Sequence, residues 1–414
     1  MSATTERPTS FPFSPPRSLV HLSAAEQRFG TEKVGLLIHM THTGDPLADA
    51  VIQELEVGGE SARRQLAVGL RHGLTFVDDV FPAVRAFLEN AEHLPGWVDL
   101  GRLERGSRAY LSIGNVWITL SLGPGSLTHT YSSPSIAKVL VSTGNLTRMA
   151  KRRILETGMW NIESVLPGGL ARGGGGYVHN LQVRLLHARV RAALLRRGWD
   201  TGATGLPINQ VEVARTWLDF TYVPFSALQT FGITFTKGEL GDLYHYWQYV
   251  AHLLGVDSRL YHGVTNQDSA AELLALINGT MELANDDARI LTQEMLVAVV
   301  ELLQPSLGTP PRITLDLAHA LARRLHGDAL ADQLGIKKPW VRFALPLLTL
   351  SNRLRRWRER TFPSVRARAI ANTVAYFRDQ LAALEGPTTY QRNLSQTPQS
   401  GLPQTIDPRV SVKS

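Results

Sequence analysis

The chain contains no cysteine. That absence removes disulfides, thiolate nucleophiles, Cys-ligated zinc, Fe–S clusters and thiolate haem ligation together, and it leaves the redox compartment open. Long apolar runs are missing as well, and none approaches the ~18 residues that a membrane span needs. The opening "MSATTERPTSFPFSPPRSL" has neither an apolar segment nor a twin arginine, so no secretory leader is expected and a cytoplasmic protein is the default. Strand-like alternation is scarce, "VWITLSL" being the best case, and there is no internal repeat. A Walker loop, a GxSxG elbow and an HExxH helix are all absent, which sets aside the commonest phosphate-binding, hydrolase and zinc-protease arrangements.

What is there suits a large soluble core. Of the 414 residues, 43% are hydrophobic and 19% charged, an ordinary globular balance. The formal charge of +7 makes a polyanion, a membrane surface or an anionic cofactor conceivable as a partner. Residues 1–20 are rich in Pro, Ser and Thr, and residues 386–414 form a polar tail; both read as lacking fixed structure. Between them helical periodicity dominates, as in "DPLADAVIQELE", "SIAKVLVSTGNLTRMAKRRILETGMWNI", "LGDLYHYWQYVAHLLG" and "SVRARAIANTVAYFRDQLAALE". The expectation is one all-α domain over residues 21–385.

One helix draws attention. In "VHNLQVRLLHARVRAALLRR" (178–197), His187 shares an apolar stripe with Val183, Val190 and Leu194. Arg184 and Arg191 lie three residues before and four after it, on the shoulder of the same face. The plain reading is a packed core histidine. The chemical reading is a haem face: imidazole for iron, aliphatic walls for the macrocycle and cations for the propionates.

Upstream, "RRILETGMW" (152–160) puts Arg153 and Thr157 on one helix face with Glu156 beside them. This is either a surface Arg–Glu pair or a polar cluster turned into a pocket. The glycine-rich "PGGLARGGGGY" (167–177) would let these two helices approach one cofactor. Downstream, "GLPINQVEVARTWLDF" offers Asn209 as a helix cap, and "YHYWQYVAHLLGV" supplies aromatic residues at helical spacing.

Taken in order, "GDPLAD" (44–49), "RILET" (153–157), "VRLLHARVR" (183–191), "PINQ" with Thr216 and Phe220, and "YHYWQYVAHLLGV" resemble the latex-clearing protein (rubber oxygenase) and MpaB-type oxygenase family. "LARRLHGDALADQLGI" (321–336) fits the family's later helices. The resemblance covers about residues 40–340. It implies an all-helical fold with a globin-like core holding one haem b, with His187 as the iron ligand and Arg153 and Thr157 near the haem. Val183, Val190 and Leu194 would form the dry wall, and Arg184 and Arg191 would face the propionates. The implied reaction is O2-dependent oxidation of a small apolar, isoprenoid- or lipid-like substrate.

Two positions depart from the best-studied rubber oxygenases. The family's lysine before the motif threonine is Glu156 here, and "SPSIAKVLVSTGNLTRMAKRR" carries no acid where the family has a carboxylate base. Glu156 is therefore the expected acid/base near the distal face, with Arg153 and Thr157 beside it. Those enzymes are also exported, so an intracellular relative would need a smaller substrate than rubber.

Three other signals carry less. "ALADQLGIKKPWVR" (329–342) has a helix-turn-helix cadence, but the following "WVRFALPLLTL" is too apolar for a recognition helix, so no nucleic-acid partner is expected. "HMTH" (39–42), His245 and His252 would be the material of a non-haem metal enzyme, yet their spacing matches no known ligand set. The basic run 351–369, with Trp357 and Phe362 inside it, is a solvated helix face or a peripheral contact with an anionic membrane.

Overall fold

The computed structural model describes residues 13–143 and 146–383. Among these residues the secondary structure is helical throughout, apart from one isolated antiparallel bridge between Leu19 and Met281. The helices that build the site are α1 (Pro46–His72), α2 (Leu100–Leu111), α3 (Pro134–Ser142), α4 (Leu146–Val165), α5 (Gly175–Arg196), α6 (Gln210–Asp219) and α7 (Lys237–Leu253). Four more follow: α8 (Asp286–Leu307), α9 (Pro311–Gln333), α10 (Leu345–Thr361) and α11 (Pro363–Ala382).

The starts are chemically marked. Asp45 caps α1 by accepting from the Ala48 amide at 3.2 Å, with Pro46 at the first helical position. Asn209 caps α6, accepting from the amides of Val211 and Glu212. Thr236 and Glu239 close a capping box on α7.

The histidine helix α5 packs against α1 on one side and α4 on the other, while α2 lies along α7. A large apolar core runs through these helices, with Tyr110, Trp217, Phe225 and Trp247 fully buried; a second cluster forms between α8 and α9 around Leu296 and Leu321. At the α4–α5 hairpin a Cβ on Gly176 would lie 2.5 Å from the Ser164 Cα, so only glycine permits this approach. Asn180 then ties the pair, accepting from Trp160 Nε1 at 2.9 Å and donating to Ser164 Oγ at 3.0 Å.

Three expectations change. "VWITLSL" is helical, an α-turn over Asn115–Leu120 followed by a π-helical segment over Ser121–Leu127. A strand there would have no neighbour to pair with, whereas the helix buries Ile118 and Leu120. The long run from Ser135 to Ile162 is two helices, α3 and α4, and residues 144–145 between them lie outside the described residues. Within the segment 1–20, residues 13–20 are docked: Phe13 stacks on His42 at 5.0 Å, and Arg17 pairs with Asp200 at 2.7 Å. The remainder of that segment and the tail 386–414 fall outside the described residues.

Candidate functional site

His187 lies one helix away from Arg153, Glu156 and Thr157, because α4 and α5 pack together. Protein surrounds the imidazole densely, yet part of the residue stays accessible, as do Val183 and Val190 on its stripe; Leu194 is buried. Burial pushes the His187 imidazole down to about 4, with Arg191 adding to the effect and Asp45 opposing it. The ring is therefore neutral at physiological pH, and among the described residues neither nitrogen has a hydrogen-bond partner. A neutral, unengaged imidazole on an aliphatic wall is the donor a haem iron takes.

The two arginines beside it are not open cations. Arg184 is buried and holds Asp45 with both prongs, Nε to Oδ2 at 2.5 Å and Nη2 to Oδ1 at 3.0 Å. Arg191 is buried as well. It pairs with Asp49 and donates to the carbonyls of Pro207 at 3.2 Å and Ile208 at 2.8 Å. Gln210 completes the knot, donating to Gly44 O at 2.8 Å and Gly255 O at 3.0 Å while accepting from the Asp257 amide at 2.8 Å. The segments "GDPLAD", "VRLLHARVR", "PINQ" and the Gly255 turn, far apart in sequence, are thus one hydrogen-bonded cluster that holds the histidine helix.

Arg153 behaves differently. It is largely enclosed, donates to Thr143 Oγ1 at 2.7 Å, and forms no ion pair among the described residues. Burial lowers its pKa, opposed by the fields of Tyr131 and Glu156. Glu156 accepts from Arg152 Nε at 2.8 Å, and Thr157 is half-buried on the same helix.

Sequence reasoning missed Glu212. This α6 carboxyl lines a cavity of about 50 Å³ together with Ser133, Ser135, Asn209, Arg215 and Thr280. Burial pushes it up to about 7, opposed by the Ser135 hydroxyl, the amides near Ile208 and Asn209, and Arg191. Its Oε1 has no hydrogen-bond partner among the described residues. The spacing Asn209-x-x-Glu212 reads as a capping box, which hides a carboxyl aimed into a cavity. No acid stands on the α3 segment, but α6 delivers this one beside Ser135 at the start of α3.

A second buried network fixes the other end of α6. Asp219 takes His129 Nδ1 at 2.5 Å and Thr130 Oγ1 at 2.7 Å, and Arg215 donates to His129 O at 2.8 Å. The Asn278 amide nitrogen meets His129 Nε2 at 3.0 Å, so this histidine is fully satisfied. His245 is likewise engaged, accepting from the Asp99 amide at 3.0 Å at the start of α2. Among the described residues no three His, Asp or Glu side chains gather as a metal site, and a non-haem centre would need such a set. Residues 329–342 do not make a helix-turn-helix: α9 ends at Gln333, and Trp340–Ala344 is a 3-10 segment.

The chain is similar to known proteins in sequence and in fold. The profile of "ER-bound oxygenase mpaB/B'/Rubber oxygenase, catalytic domain" matches residues 112–357. Rubber oxygenase from Streptomyces sp. (strain K30) is 26% identical over 309 residues, which span 71% of this chain and 70% of that protein. The solved structure of latex clearing protein LCP in the closed state superposes with a TM-score of 0.63 at 21% identity, over 81% of this chain and 91% of the other, and so shares the fold. The chain belongs to the MpaB and rubber-oxygenase catalytic-domain family of oxygenases.

Proposed function

We propose that the protein is a haem-b-dependent oxygenase that uses O2 to oxidise a small apolar substrate of isoprenoid or lipid character. The observation that carries this reading is the state of His187: neutral, without a hydrogen-bond partner among the described residues, seated on an aliphatic stripe, and set on a helix clamped by three other sequence motifs. His187 would hold the iron, with Val183, Val190 and Leu194 as the apolar wall behind it. The haem, when bound, supplies the oxygen chemistry; the chain supplies orientation, dryness and charge.

Within that reading the cations divide their work. Arg184 and Arg191 are spent on Asp45 and Asp49 and fix the angle of α5. Arg153, enclosed and without a carboxylate pair, is the cation left for an anionic group of the cofactor, and Thr157 lies one turn along the same face. Glu156, drawn toward Arg152, is the carboxylate nearest Arg153 on α4 and could accept or return a substrate proton. Glu156→Gln retaining full turnover would remove that role.

The test is the visible absorption spectrum of the purified protein, with a pyridine haemochrome assay, beside His187→Ala. A Soret band and b-type haemochrome that disappear in a folded His187→Ala variant are the expected result. No haem uptake by the unaltered protein after reconstitution with hemin would leave His187 as a packed side chain and end the proposal.

A further inference from the structure

Helix α10 is amphipathic the wrong way round for a helix on a water-exposed surface. At about 100° per residue, Leu345, Asn352, Arg356 and Glu359 share one side, and these are the buried residues. That inner face is held by polar contacts: Asn352 donates to Phe231 O at 2.9 Å, Arg356 to Ser112 Oγ at 3.1 Å and to Glu359 at 2.7 Å. The opposite side carries Leu347, Leu350, Leu354 and Trp357 in one stripe, and Trp340 and Phe343 extend it through the preceding 3-10 segment. These six side chains are 57–73% exposed. A contiguous apolar row of this kind marks an interaction surface rather than ordinary scatter.

Charge says what covers it. Between Asp332 and Asp379 the only acid is Glu359, and it is buried against Arg355 and Arg356. The flanks of the stripe carry exposed Lys337, Lys338, Arg342, Arg353, Arg358 and Arg360. Arg353 and Arg360 stand on one shoulder and Arg358 on the other. A second copy laid along the same face would set arginines against arginines. The chain's own residues 384–414 hold two acids and three basic residues, too little negative charge to match the surface.

We infer that the outer face of α10 and its preceding turn is a docking surface for an anionic lipid bilayer, with the leucine and tryptophan stripe entering the interface and the flanking arginines meeting lipid headgroups. The attachment inferred is peripheral, through the face of α10; among the described residues no helix is long and apolar enough to cross a membrane. The inference stands apart from the haem reading and does not need it.

The experiment is flotation of the full chain with phosphatidylcholine vesicles, with and without phosphatidylglycerol. Binding is expected only with phosphatidylglycerol, and it should weaken as salt is raised. Leu347→Glu with Leu350→Glu, at exposed positions, should lower the bound fraction about tenfold or more, and Arg353→Glu with Arg358→Glu should do the same by reversing charge. Lipids brominated in their acyl chains should quench tryptophan fluorescence, and Trp340→Phe with Trp357→Phe should abolish the quenching. Failure to float with anionic vesicles overturns the inference. So does binding that the leucine pair does not affect, or a dimer in solution that the same leucine pair dissolves without any vesicle binding.

Discussion

Replacing Glu212 by glutamine keeps the shape of a buried carboxyl while removing its proton. In the folded chain this carboxyl titrates at about 7, against 4.5 when solvated. The folded state therefore holds the proton more tightly than the unfolded state, and ionisation is a cost of folding. That cost is absent below about pH 4.5, grows as pH rises, and is complete above about pH 7. At 1.36 kcal/mol per pKa unit it amounts to about 3 kcal/mol. Glutamine has no such cost, so the stability of Glu212→Gln relative to the parent should rise by about 3 kcal/mol between pH 4 and pH 8. A glutamine amide adds donors that the cavity would have to satisfy, but this offset does not vary with pH. Histidines titrate over the same range, yet they do so in both proteins and cancel in the difference. Urea unfolding of both proteins across that range reads the quantity directly, and in melting temperature the change is roughly 4 °C for a chain this long. A difference that stays flat within about 1 kcal/mol would refute the view that burial controls this carboxyl.

The knot behind the histidine helix should fail sharply. Asp45→Ala leaves the buried Arg184 guanidinium without its anion and should cost about 3–5 kcal/mol, measured by urea unfolding. Adding Arg184→Met should recover part of that loss, since the stranded charge is gone. Gly255→Ala should act on the same pair, because a Cβ there lies 2.3 Å from Arg184 Nε and Asp45 Oδ2, and φ is +73°; a melting temperature equal to the parent's would contradict this contact. Burial pushes His179, His252, His319 and His326 down to about 4. Lowered folded pKa values mean stability that is full above about pH 6.5 and falls as acid approaches pH 4, which thermal melts over that window will show.

The helical fold was legible because its cues are local: capping residues, prolines at first turns and apolar periodicity. Where cues conflicted, packing decided. "VWITLSL" alternates as a strand would, but no strand surrounds it, so Ile118 and Leu120 are buried from a helix instead. The cluster around α5 was legible as separate motifs but not as a connected object. Arg184 and Arg191 are two turns apart on one helix, Asp45 and Asp49 one turn apart on another, and periodicity alone does not say that they meet. Read singly, the arginines looked like cations awaiting an anionic cofactor; in place, each has a carboxylate. Glu212 was hidden by the opposite ambiguity, since its spacing from Asn209 is that of a cap. The basic run 351–369 was legible as a solvated face or a membrane contact, but the leucine stripe beside it was not, because amphipathic spacing does not reveal which side is buried, and there the polar side is the inner one.

The pattern of pairing separates scaffold from chemistry. In a low-dielectric interior a charge is tolerated when it is paired and hydrogen-bonded, and an unpaired polar group is expensive. Arg184, Arg191, Arg215 and Asp219 obey the first condition, and each joins two or more segments. His187 and the Glu212 Oε1 meet no partner among the described residues, and Arg153 meets a hydroxyl but no carboxylate. Both His187 and Glu212 respond by taking the neutral form more readily than in water. Fold stability gains nothing from leaving these three groups so, while the surrounding knot spends three other motifs on keeping α5 in place. Groups left unsatisfied inside a carefully satisfied frame are the ones available to bind a metal, move a proton or meet an anion. On that reasoning α5 and its neighbours, rather than any of the surface basic runs, carry the oxygenase reading proposed above.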